Sequence, residues 1–216
     1  MLVVIAGGHG KIAMRLAPLL TGDGHRVRSL IRNPDHAGDV GATGAEPIVC
    51  DLESAGDDEV EAAVRGADAI VFAAGAGPGS GAARKETVDY GGAVRMIAAA
   101  KATGVRRYVM ISAQSADPDH PGDEVFDVYL RAKGRADAEL RESGLDYTIV
   151  RPGRLTDDPG TGRVSVAERL PRGEVTRDDV AAVVAACLNE PATIGATFHL
   201  LGGDTPIAEA LAGLAG

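Results

Sequence analysis

The sequence predicts an α/β fold, a doubly wound parallel sheet covered by helices on both of its faces. Three observations carry this prediction. Short apolar runs alternate with segments of helical spacing along all 216 residues. The first apolar run, residues 2–6, leads straight into a glycine turn and a helix-like segment. No long linker or internal repeat interrupts the alternation, so we expect one domain over residues 1–216, in which residues 152–216 form a small extension that partly covers the carboxyl end of the sheet.

The composition excludes several classes of protein. A formal net charge of −9 excludes a general nucleic-acid binder, since binding phosphate groups requires a basic face. No cluster of Cys and His has the spacing of a metal site, and Cys50 and Cys187 lie in separate apolar runs, where we expect buried, reduced thiols. The sequence shows neither a cationic leader nor an apolar run long enough to span a bilayer. We therefore expect a cytoplasmic protein whose partner is a small molecule, with no membrane or nucleic-acid partner and no metal.

The first half of the chain supplies four predicted strands and three clear helices. Apolar runs and alternation predict the strands at 2–6, 25–31, 46–50 and 68–74. Helical spacing predicts the helices at 12–20, 57–65 and 85–103. Gly66 and Gly104 follow the second and third of these helices, as is typical of helix ends. Residues 35–45 carry only a weak helical pattern.

The second half continues the alternation with longer loops. Strands are predicted at 107–112, 146–151, 164–166 and 197–201, and helices at 124–143, 177–189 and 206–214. Thr176 has an acid three residues later, which is typical of a helix start. Residues 113–122 are a polar loop, and residues 154–162 a loop rich in Gly, Pro and Asp.

The glycine turn after the first strand is the first candidate binding site. Gly7, Gly10 and Ala13 have the spacing G-x-x-G-x-x-A between a strand and a helix, which suits a dinucleotide because backbone N–H groups at a helix start face its pyrophosphate. An ordinary strand-to-helix turn also uses glycines. The expected contacts along this turn are Gly7, Gly8, His9, Gly10, Lys11 and Ile12.

The residue at the end of the second strand indicates whether the chain prefers NAD(H) or NADP(H). A preference for NAD usually places Asp or Glu there, whereas this chain has Arg32, whose guanidinium suits a 2′-phosphate. We therefore expect NADP(H) over NAD(H), although a solvent-facing arginine is a common alternative. Asp51 is equally an adenine contact or a loop aspartate. The further contacts expected at the strand ends are Asp51, Leu52, Ala73, Ala74 and Gly75.

A tyrosine and a lysine form the candidate catalytic pair. Tyr129 and Lys133 are four residues apart in a predicted helix, which puts both side chains on one face. A lysine beside a tyrosine favours the phenolate and so makes the tyrosine a usable acid or base near neutral pH. The same spacing also arises by coincidence, since helices contain many Tyr and Lys residues.

With these motifs in order, the chain resembles the short-chain dehydrogenase/reductase superfamily. It is most similar to the atypical members, the NAD(P)H-binding or NAD-dependent epimerase/dehydratase-like group. The segments that carry the resemblance are GGHGKIA at 7–13, LIRNP at 30–34, VFAAGAG at 71–77, VDYGGAVRMI at 88–97, YVMIS at 108–112, YLRAKGRADAEL at 129–140, DYTIVRPGRLTDDPGTGRV at 146–164 and TRDDVAAVVAACL at 176–188. Together they span nearly the whole chain.

The resemblance implies a Rossmann-like fold, an NAD(P) site and a Ser-Tyr-Lys set that moves a proton. Tyr129 matches the family's acid/base, and Lys133 the lysine that supports it and binds the ribose. Ser112 ends the fifth strand, and Ser115 follows in the loop, so either serine is a candidate for the third position. The turn of Arg151, Pro152 and Gly153 resembles one that borders the nicotinamide and the substrate; Ser112, Tyr129 and Lys133 are expected cofactor contacts as well.

Three functions follow from this resemblance. The first is an NADP(H)-dependent oxidoreductase that moves hydride to or from a small carbonyl, alcohol or quinone-like compound. The second is a non-catalytic NADP(H)-binding redox sensor, because Ala113 and Gln114 stand where the family's serine usually falls. The third is an NAD(P)-dependent epimerase or dehydratase, for which the segment after residue 152 is short.

Overall fold

The computed structural model describes residues 1–77 and 79–214. The strands, β1 to β11 in chain order, are Leu2–Ala6, Arg26–Ile31, Glu46–Val49, Ala69–Phe72, Arg107–Ile111, Asp146–Pro152, Arg154–Thr156, Arg163–Ala167, Glu174–Thr176, Ala196–Gly202 and Thr205–Pro206. The α-helices, α1 to α8, are Ala13–Gly22, Ala37–Ala42, Asp57–Val64, Ala82–Arg84, Ala93–Thr103, Val125–Glu142, Arg177–Cys187 and Ile207–Ala212. A π-helical stretch, Lys85–Gly92, joins α4 to α5, and 3-10 turns lie at Pro34–His36 and Pro191–Thr193. Within the described ranges, no helix is both long enough and apolar enough to cross a membrane.

The main sheet confirms the predicted Rossmann-like, doubly wound architecture. Its strand order is β11-β8-β10-β6-β5-β4-β1-β2-β3, and the seven strands from β10 to β3 in this order pair in parallel. The chain moves outward from β1 to β3 and then returns to place β4 on the other side of β1. Ligands of such sheets bind at the carboxyl ends of the strands where the order reverses, and here that point lies between β1 and β4.

The outer edge of the sheet differs from the prediction. Strands β8 and β11 run antiparallel to their neighbours, so the sheet is mostly rather than entirely parallel. A second, two-stranded sheet pairs Arg154–Thr156 with Glu174–Thr176, where the sequence predicted a loop at 154–162 and no strand near 175. Three-residue strands give too short a pattern for periodicity to detect.

The core lies on both faces of the main sheet. Val3 and Ile5 of β1 pack with residues of α1, α2, α7 and α8, whereas Val4 and Ala6 pack with residues of α3, α5 and α6. A strand that is buried on both faces is apolar at every position rather than at alternate ones. This double burial explains the continuous apolar run at the start of the chain.

The start of α7 follows from its capping residues. The Thr176 hydroxyl accepts a hydrogen bond from the backbone N–H of Asp179 at 3.0 Å, as the sequence predicted. The Asp179 carboxylate in turn accepts from the backbone N–H groups of Thr161 and Gly162 at 3.0 and 2.8 Å. This aspartate therefore ties the loop before β8 to the start of α7.

Both cysteines are buried and free, as predicted. Burial, together with the charges of Glu59 and Asp51, raises the pKa of the Cys50 thiol to about 11, and burial raises that of Cys187 to about 12. Both side chains are therefore neutral thiols at physiological pH, which makes them poor nucleophiles.

Candidate active site

A groove runs along the carboxyl edge of the main sheet and consists of two connected parts. The glycine cleft, of about 260 Å³, is lined mainly by the ends of β1, β2 and β4 and by the loop after β3. The tyrosine cavity, of about 610 Å³, lies between the glycine turn, the π-helical stretch and α6. The residues that line both parts are Gly10, Ala73, Ala74 and Gly75. The two parts therefore meet at the point where the strand order reverses.

The glycine turn lies directly against the end of β4. Gly7 has a φ of +79°, and a Cβ at this position would lie 2.6 Å from the Cα of Ala74. A Cβ at Gly8 would lie 2.5 Å from the Cβ of Ser29, and one at Gly10 would lie 3.0 Å from the carbonyl oxygen of Gly7. The absence of side chains leaves a cradle of backbone atoms before α1, and this cradle fits the pyrophosphate of a dinucleotide.

Replacing Gly7 by alanine is expected to weaken cofactor binding. The new Cβ meets backbone atoms of Ala74 that cannot move without shifting β4, so we expect the dissociation constant for NADPH to rise by about 10-fold or more. Gly24 gives a matched control, because it has a similar φ of +81° but a Cβ at this position would meet no other atom within 4 Å. Fluorescence titration with NADPH should show an unchanged affinity for Gly24→Ala. Equal affinities of Gly7→Ala and the wild type would contradict the assigned role of the turn.

Two guanidinium groups share one carboxylate at the far end of the glycine cleft. The Arg32 side chain is 56% exposed, and its Nη1 lies 3.4 Å from Oε2 of Glu53. Arg84 also donates to Glu53, and the hydrogen bond from Arg84 is the largest factor that holds the pKa of that carboxyl below its usual range. Thr87 donates to the same carboxylate at 2.7 Å. Arg32 and Arg84 are the guanidinium groups that line this end of the cleft, beside the carboxylate of Glu53.

His9 lies in the glycine turn and forms part of the wall of the cleft. Its ring stacks on that of His36 with the centroids 3.7 Å apart, and its Nε2 lies 3.0 Å from a carboxylate oxygen of Asp39. His36 lines the same cleft. The sequence predicted a cofactor contact for His9, and its position in the wall of the cleft is compatible with that role.

Tyr129 and Lys133 both line the tyrosine cavity, on adjacent turns of α6. The Lys133 Nζ lies 6.0 Å from the centroid of the Tyr129 ring. It donates to the carbonyl oxygen of Ile111 at 3.2 Å and lies 3.4 Å from Oδ1 of Asp89. Burial alone would lower the pKa of Lys133, but the charges of Asp89 and of two further acidic groups raise it above its usual value. Lys133 is therefore a fixed cation that Asp89 partly neutralises.

The protonation of Tyr129 differs from the expectation. The Tyr-Lys spacing predicts a phenolate, yet the pKa of Tyr129 is raised. Burial is the largest cause; Lys133 opposes it, while the charges of Asp89 and Asp137 raise the pKa further. Because Asp89 also offsets the charge of Lys133, the lysine cannot reverse the effect of burial. Tyr129 is a neutral phenol at pH 7, and this form can donate a proton.

Of the two candidate serines, Ser112 lies in the cavity. It is 4% exposed, and its hydroxyl lies close enough to the Asp137 carboxylate to lower the pKa of that group by a hydrogen bond. A carbonyl or ribose oxygen bound in the cavity would compete with Asp137 for this hydroxyl. Ser115 is exposed in the following loop and does not line either part of the groove.

Behind this wall, Arg151 and Asp137 form a buried ion pair. The Nε and Nη2 atoms of Arg151 both lie 2.8 Å from Oδ2 of Asp137, which is fully buried. Burial raises the pKa of Asp137, and the Arg151 charge lowers it. Asp137 is four residues after Lys133 on α6, so the pair joins the helix that carries the tyrosine to β6.

Most of the predicted site residues line one part of the groove or the other. Those that do are Gly7, Gly8, His9, Gly10, Lys11, Ile12, Arg32, Leu52, Ala73, Ala74, Gly75, Ser112, Tyr129, Lys133 and Pro152. Besides Ser115, three predicted residues line neither part. Asp51 accepts from the backbone N–H of Glu53 at 3.1 Å, as a loop aspartate does. Arg151 lies behind the cavity wall, and Gly153 packs on Gly173.

Sequence reasoning missed the contribution of the segment after β4. Arg84 lines the glycine cleft, and Lys85 and Asp89 line the tyrosine cavity. The sequence shows a plain helix here, whereas the structure has the π-helical stretch, whose different turn decides which side chains face the groove. Asp89 and Tyr90 stand in the stretch where many extended members of the resembled family carry Asn. That departure was the available signal.

Comparison with known proteins agrees with this geometry. A family model described as NAD(P)H-binding matches residues 7–191. A protein of Bacillus subtilis named "Uncharacterized sugar epimerase YhfK" is 42% identical over 98% of this chain and 99% of its own length. A solved structure named as a putative NAD-dependent epimerase/dehydratase from Bacillus halodurans is 39% identical, with a TM-score of 0.90 and 98% of each chain covered. The anaerobillin reductase ChuY from Escherichia coli is 26% identical, with a TM-score of 0.80, over 94% of this chain and 98% of that one.

Proposed function

The chain belongs to the NAD(P)H-binding family, and from this premise we propose that it is an NADP(H)-dependent oxidoreductase acting on a small carbonyl or quinone-like compound. One observation carries the proposal. A neutral Tyr129 phenol and the Ser112 side chain line a cavity that shares four lining residues with the glycine cleft. Two hydroxyl donors in one cavity suit a carbonyl oxygen that gains negative charge during reduction.

The residues that would hold the cofactor follow the groove. The glycine turn offers backbone N–H groups to the pyrophosphate, and Arg32 with Arg84 offers positive charge to a 2′-phosphate. The carbonyl groups of Ala74 and Ile111 and the carboxylate of Asp89 hold the Lys133 ammonium at the cavity, where a ribose hydroxyl would share one of its three N–H donors. When bound, the cofactor supplies or accepts the hydride.

The protein supplies the proton and stabilises the developing charge. In the direction of reduction, the Tyr129 hydroxyl donates its proton to the carbonyl oxygen, and the Ser112 hydroxyl donates a hydrogen bond to the same oxygen. The nearby positive charge of Lys133 stabilises the phenolate that remains. Asp89 pairs with Lys133, and Asp137 with Arg151 fixes α6 against β6.

The experiment that tests this proposal measures consumption of NADPH with a panel of carbonyl and quinone compounds, together with titration of NADPH and NADH. We expect turnover of at least one compound and tighter binding of NADPH. Tight cofactor binding without any consumption would favour the redox sensor. The name of the 42% identical relative favours an epimerase as the second candidate. An epimerase would convert a sugar substrate without net change in added NADPH.

Arg32 gives a test of the cofactor preference. Replacing it by glutamate removes a charged donor and adds a like charge beside a 2′-phosphate. We therefore expect the dissociation constant for NADPH to rise by about 10–100-fold and that for NADH to change little. Arg26 at the other end of β2 is exposed and gives the matched control, Arg26→Glu. Equal weakening of NADPH and NADH by Arg32→Glu would mean that Arg32 does not read the 2′-phosphate.

A further inference from the structure

Lys85 is a buried cation that the proposed reaction does not use. It lies at the start of the π-helical stretch, lines the tyrosine cavity and is 8% exposed. Its Nζ donates to the carbonyl oxygen of Gly77 at 2.8 Å and lies 5.4 Å from the centroid of the Tyr129 ring. Lys85 and Lys133 thus both lie within about 6 Å of the ring of the proposed proton donor.

The two lysines differ in their partners. Lys133 has Asp89 at 3.4 Å, whereas Lys85 has no carboxylate within 4.0 Å among residues 1–77 and 79–214. An ammonium group has three N–H donors, and the carbonyl of Gly77 uses one of the Lys85 donors. A buried charge without a counter-charge is unfavourable unless a ligand supplies one. The Lys85 ammonium therefore lines the cavity without a counter-charge, and the carboxylate of a ligand would supply one.

The mouth of the same cavity is apolar. Val125 and Phe126 line it and are 44% and 64% exposed, and Phe126 lies with its ring centroid 5.7 Å from that of Tyr129. Ile12 and Leu155 line the cavity as well. Exposed large apolar side chains around a cavity indicate a ligand with an apolar body.

We propose that the substrate is an apolar carbonyl compound that carries a carboxylate, with the carboxylate bound by Lys85 and the carbonyl oxygen by Tyr129 and Ser112. The inference rests on the proposed function for the second of these contacts. Reduction adds a hydride to the carbonyl carbon and the Tyr129 proton to its oxygen, so that the C=O double bond becomes a C–O single bond. Lys85 exchanges no proton in this step and acts as a specificity residue.

The test compares two aldehydes that differ in one charge. 4-Carboxybenzaldehyde has a carboxylate, and its methyl ester has the same ring and aldehyde but no charge. We expect the wild type to favour the acid, and Lys85→Gln to lower the ratio of kcat/KM for acid over ester by about 10–100-fold. Lys85→Arg should keep most of the ratio because it keeps the charge. Lys101→Gln, which changes an exposed lysine of α5, is the matched control. A purely structural role of Lys85 would change both substrates equally and leave the ratio unchanged.

A binding measurement makes the inference independent of turnover. Calorimetry of 4-methylbenzoate and 4-methylbenzamide, with and without saturating NADP⁺, should show tighter binding of the benzoate in the wild type and a loss of this difference in Lys85→Gln. If neither aldehyde is reduced but the benzoate still requires Lys85, the proposed reaction fails and the assignment of Lys85 to a carboxylate stands. If an aldehyde is reduced but the acid is not preferred, the reaction stands and the inference fails. Weaker binding of NADPH by Lys85→Gln would assign Lys85 to the cofactor and would also overturn the inference. Thermal melting of Lys85→Gln and Lys85→Arg excludes unfolding as the cause.

Discussion

Replacing Tyr129 by phenylalanine is expected to lower kcat for carbonyl reduction by about 10²–10⁴-fold, the usual contribution of a positioned general acid. The Tyr129 hydroxyl makes no hydrogen bond to any residue that the structure describes, so the fold should not depend on it. We therefore expect the variant to keep the melting temperature of the wild type. Steady-state kinetics with the best carbonyl substrate, together with thermal melting, checks both parts of this prediction.

The pH dependence of the reaction rates gives a second test of the role of Tyr129. Burial raises the pKa of Tyr129 above its ordinary value of 10.0, so reduction, which needs the phenol, should stay constant through neutral pH and fall only at strongly alkaline pH. Oxidation of the product alcohol needs the phenolate and should become faster as the pH rises. Tyr90→Phe is the matched control, since the Tyr90 hydroxyl donates to Glu139 at 3.0 Å outside the groove. A Tyr129→Phe variant that retains full activity would remove Tyr129 from the mechanism.

The largest effect on stability is expected from Arg151→Met. This change leaves the Asp137 carboxylate buried without its counter-charge, and breaking a buried pair in this way costs about 3–5 kcal/mol of unfolding free energy. Urea unfolding at pH 7 measures the loss. Because Arg151 lowers the pKa of Asp137, its removal raises that pKa further. A group whose folded pKa is raised contributes stability at low pH and loses it as the pH rises, so the variant should be destabilised less at pH 4 than at pH 7.

Two controls separate the buried pair from a general effect of removing an arginine. Arg106→Met removes the partner of Asp146 from an exposed pair and should cause a much smaller loss. The double variant Arg151→Met with Asp137→Leu removes both charges and should recover much of the stability. If Arg151→Met unfolds at the same urea concentration as the wild type, the pair does not stabilise the attachment of α6 to β6.

Much of the fold was predictable because its signals are local. The apolar run of β1, the glycines that follow it and the capping pair of Thr176 and Asp179 each lie within a few residues of one another. The three-residue strands β7 and β9 were not predictable, since each needs the other to exist.

The site shows the same division between local and long-range information. The spacing of Tyr129 and Lys133 predicts that both side chains share one face of α6, and both line the tyrosine cavity. The protonation of Tyr129 could not be read from that spacing, because it depends on burial and on Asp89, which is 40 residues away in the sequence. The places of Lys85 and Arg84 in the groove were not predictable either, because they depend on a change from α-helix to π-helix that the residue pattern does not show.

The π-helical stretch also makes the site sensitive to a change of one residue in the length of the chain. A π-helical turn differs from an α-helical one by a single extra residue, so a deletion of one codon can convert the first into the second. Each residue of an α-helix turns by about 100°. If α5 kept its place, the conversion would rotate Lys85 away from the cavity. If α4 kept its place, the conversion would rotate Asp89 away from the cavity. A relative that lacks one residue between α4 and α5 can thus keep its glycine turn and its Tyr-Lys pair. It would lose either the equivalent of Lys85, which binds the substrate carboxylate, or the equivalent of Asp89, which pairs with Lys133. Sequence length in this short stretch, rather than overall identity, would then indicate which relatives share a substrate class with this protein.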